Sequence, residues 1–206
     1  RGGRVEYQGE TLNLRGAHID FDIPGKPIPI YLAAVGPKMC ELSGEAADGV
    51  VLSAGVSAPY IQWALERVEK GRKKRAEHGG DFTVAGLIVT TISEQYEDAL
   101  AESQTGLAYL LRSPALRPSH EISGTKLDLD SINDALVRKD EEALRRLIPE
   151  EVVHAYSVTG TPEMAADRIA EFVRAGLEIP VLALRGSPEA RKTALCLLVD
   201  RFGSNP

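Results

Sequence analysis

An α/β fold organised on a parallel sheet or barrel is what this sequence predicts, and three observations carry the prediction. After an opening hairpin, short apolar runs alternate with stretches of helical periodicity in the order β-α-β-α-β-α-α-α-β-α. Residues 29–53, PIYLAAVGPKMCELSGEAADGVVLS, have the grammar of a β-α-β unit, which implies parallel strands. The length, 206 residues with 43% hydrophobic content, suffices for a substantial core. It is long for a single small domain and short for a complete α/β barrel.

Residues 1–21 alternate Val5 and Tyr7 before Gln8-Gly9, and Leu12 and Leu14 after it, which predicts a β-hairpin turning near Gly9. A lone hairpin is marginal in water, so this one needs a surface to pack on. Pro24, Gly25, Pro27 and Pro29 then form a stiff connector. A strand at 30–33 leads through Gly36-Pro37 into a helix at about 37–47 and a second strand at 50–52. Pro37 suits the first helical position, where its missing N–H has no partner to lose and its φ is already helical. Gly36 admits backbone angles closed to other residues and lets a ligand approach the main chain. The free N–H groups of Lys38 and Met39, the helix dipole and the Lys38 charge together make an anion site. A tight strand-to-helix connection without a ligand would use the same residues, and spacing alone leaves both readings open.

Ser57 and Pro59 resemble a cap and first turn, and Tyr60, Ile61, Ala64 and Val68 repeat at helical spacing. Lys70, Arg72, Lys73, Lys74 and Arg75 crowd the far end of that helix before Gly79-Gly80, where cations are favoured by the dipole. We read them as a solvated helix end rather than a phosphate or nucleic-acid patch. Residues 82–92 are β-rich, and a helix beginning near Ser93 carries Tyr96, Leu100, Leu107 and Leu111. The pattern breaks down over 112–134, where Pro114, Pro118, Ser119, Ser123 and Gly124 mark a loop or lid-like insertion. His120 sits in it and reads as a surface residue rather than a catalyst. Two short helices at 141–147 and 149–156 follow. Thr161 can cap a helix starting at Pro162, with Met164, Ile169, Phe172 and Val173 inward and Gly176 left-handed at its end. A strand at 179–184 ends in Arg185-Gly186. Ser187-Pro188 opens a last helix carrying Ala194, Leu195, Leu198 and Phe202.

The formal net charge of -6 argues against a general nucleic-acid or anionic-membrane surface. No apolar run approaches the roughly 20 residues that span a bilayer, and no secretory signal opens the chain. Cys40 and Cys196 both lie in amphipathic helical patterns and read as buried free thiols, which fits a reducing cytoplasm. Nothing near His154 has metal-ligand spacing, so no metal is expected.

The 29–53 block, followed much later by VTGTPEMAADRIAEFVRAGLEIPVLAL, resembles the C-terminal part of the bacterial luciferase-like family. The likeness is strongest to its deazaflavin-dependent branch, related to methylenetetrahydromethanopterin reductase, and covers residues 4–202. Each block alone is a weak signal, and their combination is quite specific. The resemblance implies the C-terminal half of a TIM (β/α)8 barrel, with parallel strands five to eight in a single domain spanning 1–206. Residues 1–28 would be the hairpin and connector before strand five, 29–111 and 149–206 the β/α units, and 112–148 an insertion. About four upstream β-α units, where the family keeps the histidine or acidic residues near the cofactor ring, are absent, so no catalytic residue is assigned. We expect an incomplete sequence, with a natural half barrel that dimerises as the alternative. Such a half barrel exposes strand edges and an apolar inner face.

By resemblance, Ala34, Val35, Gly36, Pro37 and Lys38 would hold the phosphate or adjacent tail of the cofactor, in agreement with the anion site read from the residues. Ser53, Thr91 and Arg185 occupy the C-terminal strand ends, where sites of this fold gather. Ser53 joins the cofactor set, and Thr91 and Arg185 are candidates for substrate or phosphate. The implied activity is hydride transfer between coenzyme F420 and a small organic substrate by a cytoplasmic enzyme that is a homodimer when complete. The rival within the family is an FMN-dependent monooxygenase, and GPKM leans toward F420. A non-catalytic half-barrel binding module is the rival from another class. The 112–134 stretch is expected to shape substrate choice, and this piece on its own is expected to be inactive.

Overall fold

The computed structural model describes residues 3–18, 20, 28–53, 55–75 and 81–202, the last three as backbone only. Pro24, Gly25, Pro27 and the Gly79-Gly80 stop lie outside the described residues. Two short strands, β1 (Val5–Gln8) and β2 (Asn13–Ala17), pair antiparallel, with Tyr7 opposite Leu14. The Gly9 N–H closes the turn on Leu12 O at 2.9 Å.

The body of the chain is an α/β fold on a five-stranded parallel sheet. The organising unit is β3 (Tyr31–Ala34), α1 (Pro37–Ala46) and β4 (Gly49–Leu52). After it come α2 (Ala58–Arg72), capped by Ser57, β5 (Thr83–Ile92) and α3 (Tyr96–Leu111). A 3-10 turn at Pro114–Leu116 then leads into four short helices. These are α4 (Arg117–Ser123), α5 (Leu129–Arg138), α6 (Glu141–Leu147) and α7 (Glu150–Tyr156). The chain ends with β6 (Ser157–Gly160), α8 (Pro162–Arg174), β7 (Ile179–Leu184) and α9 (Pro188–Phe202).

The ten-residue β5 is the axis of the sheet. Ala85 and Gly86 pair with both β4 and β7, and Val89 and Thr90 with both β6 and β7. A strand has two edges, so β7 takes one of them while β4 and β6 follow each other along the opposite one. Register then divides the side chains between two faces. Val50, Leu52, Val84, Ile88, Ile92 and Val158 share the face packed against α2, α8 and α9, with Ile61, Phe172 and Leu198 opposite. The other face carries Tyr31, Leu87, Ile179 and Val181, all exposed, until it reaches Val89. There a second core closes over it, built from Leu107, Leu111, Leu116, Ile132, Leu144, Val153 and Tyr156. Among the described residues, β3 and β7 have no strand on their outer edges.

Several expectations need correcting. The stretch 112–134 is helical: Pro114 and Pro118 stand in first turns, where a missing N–H costs nothing, and Gly124 caps α4 at φ 66. His120 is accordingly a helical residue, buried rather than on the surface. A further strand, β6, follows α7 directly. Met164 and Val173 are exposed, and Ala165 takes the inward position on α8 beside Ile169 and Phe172. Thr161 stands at the N-cap of α8 but makes no capping hydrogen bond, because its Oγ1 bonds to Glu163 at 3.0 Å. Cys40 is buried, and burial holds its thiol up at about 11, whereas Cys196 is exposed. The basic end of α2 is less free than expected. Lys74 pairs with Glu41, Arg75 binds Asp48 at 3.5 Å and Ala47 O at 3.0 Å, and Arg72 lies over the Phe82 ring.

The α1–α2 crossing is closer than side chains allow. A Cβ on Gly44 would lie 2.0 Å from Val68 O, and one on Gly71 would lie 1.8 Å from Glu41 O. Two glycines therefore let the two backbones touch.

Candidate functional site

The C-terminal ends of β3 and β4 lie side by side, joined where the Ser53 N–H donates to Ala34 O at 3.4 Å. That contact places Ser53 beside the turn of Ala34, Val35, Gly36, Pro37 and Lys38. The turn is fixed from below: the buried Tyr60 hydroxyl donates to Val35 O, and burial raises its pKa. Gly36 is the N-cap of α1 and Pro37 its first residue. The Cys40 N–H closes the first turn on Gly36 O at 3.1 Å. The N–H groups of Lys38 and Met39 therefore have no intrahelical acceptor.

Gly36 has φ -103 and ψ 166, an extended conformation open to any residue. The expectation that glycine is needed there for its backbone angles is corrected. What remains is space, because a Cβ on Gly36 would meet nothing within 4 Å. Open space over a helix start with two free N–H groups, and with the exposed Lys38 alongside, suits an anion such as a cofactor phosphate.

Thr91 and Arg185 are not brought to that turn. Leu52 is in register with Gly86, and Thr90 with Leu184, so Thr91 and Arg185 sit four residues beyond the level of Ser53. That is about 13 Å along the sheet. Thr91 is buried on the face closed by the second core, and its Oγ1 has no hydrogen-bond partner. Arg185 is exposed and opens on a separate cleft of about 670 Å³, lined also by Asp98, Glu102, Tyr109, Arg145 and Arg191.

Sequence reasoning missed α4, which lies across the loop leaving β4. Leu116 abuts Gly55, Ser119 Oγ donates to Gly55 O, and Ser123 Oγ lies 2.6 Å from Ser57 Oγ. His120 is among these residues with its Nε2 unpartnered, and burial lowers its pKa. Recurrence at 116, 119, 120 and 123 was the signal available, masked by the flanking prolines. Among the described residues no group of three His, Cys, Asp or Glu could hold a metal ion. No helix among them is long and apolar enough to cross a membrane.

A profile of the luciferase-like monooxygenases matches residues 1–178. The chain belongs to that family. It is 26% identical over 196 residues to the 5,10-methylenetetrahydromethanopterin reductase of Archaeoglobus fulgidus, covering 93% of this chain and 58% of that protein. It is 28% identical over 192 residues to the F420-dependent glucose-6-phosphate dehydrogenase of Rhodococcus hoagii, covering 92% and 52%. The solved coenzyme F420 dependent tetrahydromethanopterin reductase of Methanopyrus kandleri superposes with a TM-score of 0.77 at 26% identity, over 96% of this chain and 56% of that one. An EDTA monooxygenase from Chelativorans shares the fold at a TM-score of 0.62 and 15% identity, over 98% and 50%. The luciferase-like chain thus spans about half the length of the curated relatives it matches.

Proposed function

We propose that this luciferase-like chain is the C-terminal part of an oxidoreductase that passes a hydride between coenzyme F420 and a small organic substrate. The observation that carries the reading is the open anion cradle at Gly36, on a chain whose relatives include F420-dependent enzymes. In this reading β3, β4, β5 and β7 are strands five to eight of a TIM barrel. The helices within 112–148 are an insertion over its C-terminal mouth, and the exposed sheet face meets the remaining strands. The whole protein works as a cytoplasmic homodimer.

When bound, the deazaflavin supplies the hydride chemistry, and the protein supplies position and electrostatics. The residues here do the anchoring. The Lys38 and Met39 N–H groups and the Lys38 ammonium hold the phosphate, Pro37 starts the helix without occupying a donor, and the Ala34–Val35 backbone fixes the adjoining tail. Ser53 lines the next strand end. Arg185, in its own cleft, would meet an anionic group of the substrate. Thr91 is buried, which favours a structural part for it over substrate contact.

FMN is the second reading, favoured by the fold shared with the monooxygenases. Fluorescence titration of the full-length gene product with F420 and with FMN decides between them. Gly36→Val is expected to weaken binding by more than tenfold, because the side chain would fill the phosphate's place. Lys38→Ala should weaken it by only a few fold, since the amides remain and an exposed charge is screened by salt. Unchanged affinity in Gly36→Val refutes the cradle, and tighter binding of FMN than of F420 moves the protein to the monooxygenase reading.

A further inference from the structure

Tyr60 belongs to α2, yet its hydroxyl reaches across to the turn before α1 and donates to Val35 O. Its own surroundings fix where that hydroxyl stands. The side chain is 1% exposed, its ring stacks on Trp63 with centroids 5.5 Å apart, and the Tyr60 N–H is tied to Ser57 Oγ at 3.3 Å. α2 in turn is seated directly on α1, where the two backbones touch at Gly44 and Gly71. A peptide unit is planar, and a trans one points its C=O and N–H in opposite directions. The Val35–Gly36 peptide is trans. Its C=O is drawn toward Tyr60, so its N–H, which belongs to Gly36, points away from α2. It does so at the start of the helix that also leaves the Lys38 and Met39 N–H groups free.

Glycine leaves this orientation open to choice. Turning the Val35–Gly36 peptide over would carry φ of Gly36 from -103 to positive values, which glycine adopts readily and other residues do not. The turned peptide would present a carbonyl oxygen in place of an N–H, and an oxygen repels an anion. We propose that Tyr60 is a positioning residue for the cofactor phosphate: its hydroxyl holds the Val35–Gly36 peptide in the orientation that adds the Gly36 N–H to those of Lys38 and Met39. Burial keeps the phenol protonated, and therefore a donor, at neutral pH. The proposal rests on the cofactor reading, and it adds to the site a residue of α2 that gives no group to the ligand itself.

The test uses the full-length gene product with Tyr60→Phe, with Gly36→Ala and with both together. F420 and FMN are titrated by fluorescence, each beside its phosphate-free form, the ribityl deazaflavin for F420 and riboflavin for FMN. Phe keeps the ring and its stack on Trp63 and removes only the hydroxyl. Ala fits, since a Cβ at Gly36 meets nothing within 4 Å and φ -103 suits any residue, but it resists the turned peptide. Tyr60→Phe is expected to weaken binding of the phosphate-bearing cofactor about tenfold and to leave the phosphate-free form unchanged. In the Gly36→Ala background the same substitution should cost less than about threefold, because alanine now holds the peptide. Unchanged cofactor affinity in Tyr60→Phe, with Gly36→Val still impaired, overturns the part given to Tyr60 and leaves the cradle standing. Equal losses for a cofactor and its phosphate-free form, or equal losses with and without Gly36→Ala, assign Tyr60 to packing and overturn the proposal. Failure of the wild type to bind either cofactor overturns both readings at once.

Discussion

Gly176 offers a sharp test of how α8 is ended and packed. Its φ is +119, a region side chains rarely adopt, and the turn it makes is closed by Gly176 N–H to Val173 O at 2.9 Å and Leu177 N–H to Phe172 O at 3.2 Å. A Cβ placed there would lie 2.4 Å from Leu65 Cδ1 and 3.8 Å from Ile61 Cγ2. Gly176→Val therefore meets two separate costs. A β-branched residue at positive φ costs about 1–2 kcal/mol in backbone strain. Forcing side-chain atoms into a packed α2–α8 contact costs about 1–3 kcal/mol more. Urea unfolding should then report a loss of about 2–5 kcal/mol. The two parts separate in a cycle: Leu65→Ala in the Gly176→Val background should relieve the packing part and leave the strain. A loss below about 0.5 kcal/mol would refute the assignment of this turn.

The glycine crossing of α1 and α2 makes an equally direct case. Alanine normally favours a helix over glycine by about 1 kcal/mol, yet Gly71→Ala should destabilise by more than about 2 kcal/mol, and a neutral or stabilising result in urea unfolding would contradict the backbone contact. The 206-residue chain alone should self-associate through Tyr31, Leu87, Ile179 and Val181 and show no F420-linked hydride transfer. In sedimentation, Val181→Lys should shift it toward monomer, and a monomeric, active wild-type chain would sink this expectation. Stability should also depend on pH through His120, whose folded pKa is depressed by burial while Tyr156 is the titratable ring against it. The unfolded state binds the proton more readily, so stability is full above about pH 6.5 and falls as pH drops below it. His120→Gln should flatten that slope relative to the wild type.

The β-α-β unit was legible because its punctuation is local. Pro37 can start a helix, Gly36 precedes it, and the apolar runs on either side are too short for anything but strands. The end of α8 was equally readable from Gly176. β6 was not, because Ser157–Gly160 offers one apolar residue, Val158, and no turn separates it from α7. Thr159 Oγ1 is met by a partner far away in sequence, Ser103 Oγ at 2.6 Å, as well as by Ser157 Oγ, two residues back, at 2.8 Å. The prolines of 112–134 suggested a loop because a proline in a helical first turn and one in a loop differ only in the residues after them. For α5 the signal was present, with Asp128 capping Ser131 N–H and Ile132, Ala135 and Leu136 at helical spacing. That Ala34, Val35, Gly36, Pro37 and Lys38 make one strand-to-helix turn was readable from sequence. The burial of His120 and the distance of Arg185 from Gly36 depend on where α4 and β7 land, which no local pattern encodes.

The position of β5 between two separate cores has a kinetic meaning. Val84, Ile88 and Ile92 belong to one core and Val89 to the other, so the strand is common property of two groups of helices that also meet where α4 packs on α2. The helices from α4 to α7 can open together while β5 stays held by β4, β7 and the outer helices. Hydrogen exchange should divide accordingly: amides of α4 to α7 become accessible in partial openings, and those of β5 only when the whole chain unfolds. Helices that loosen without unravelling the sheet beside them can close again on a framework that does not move.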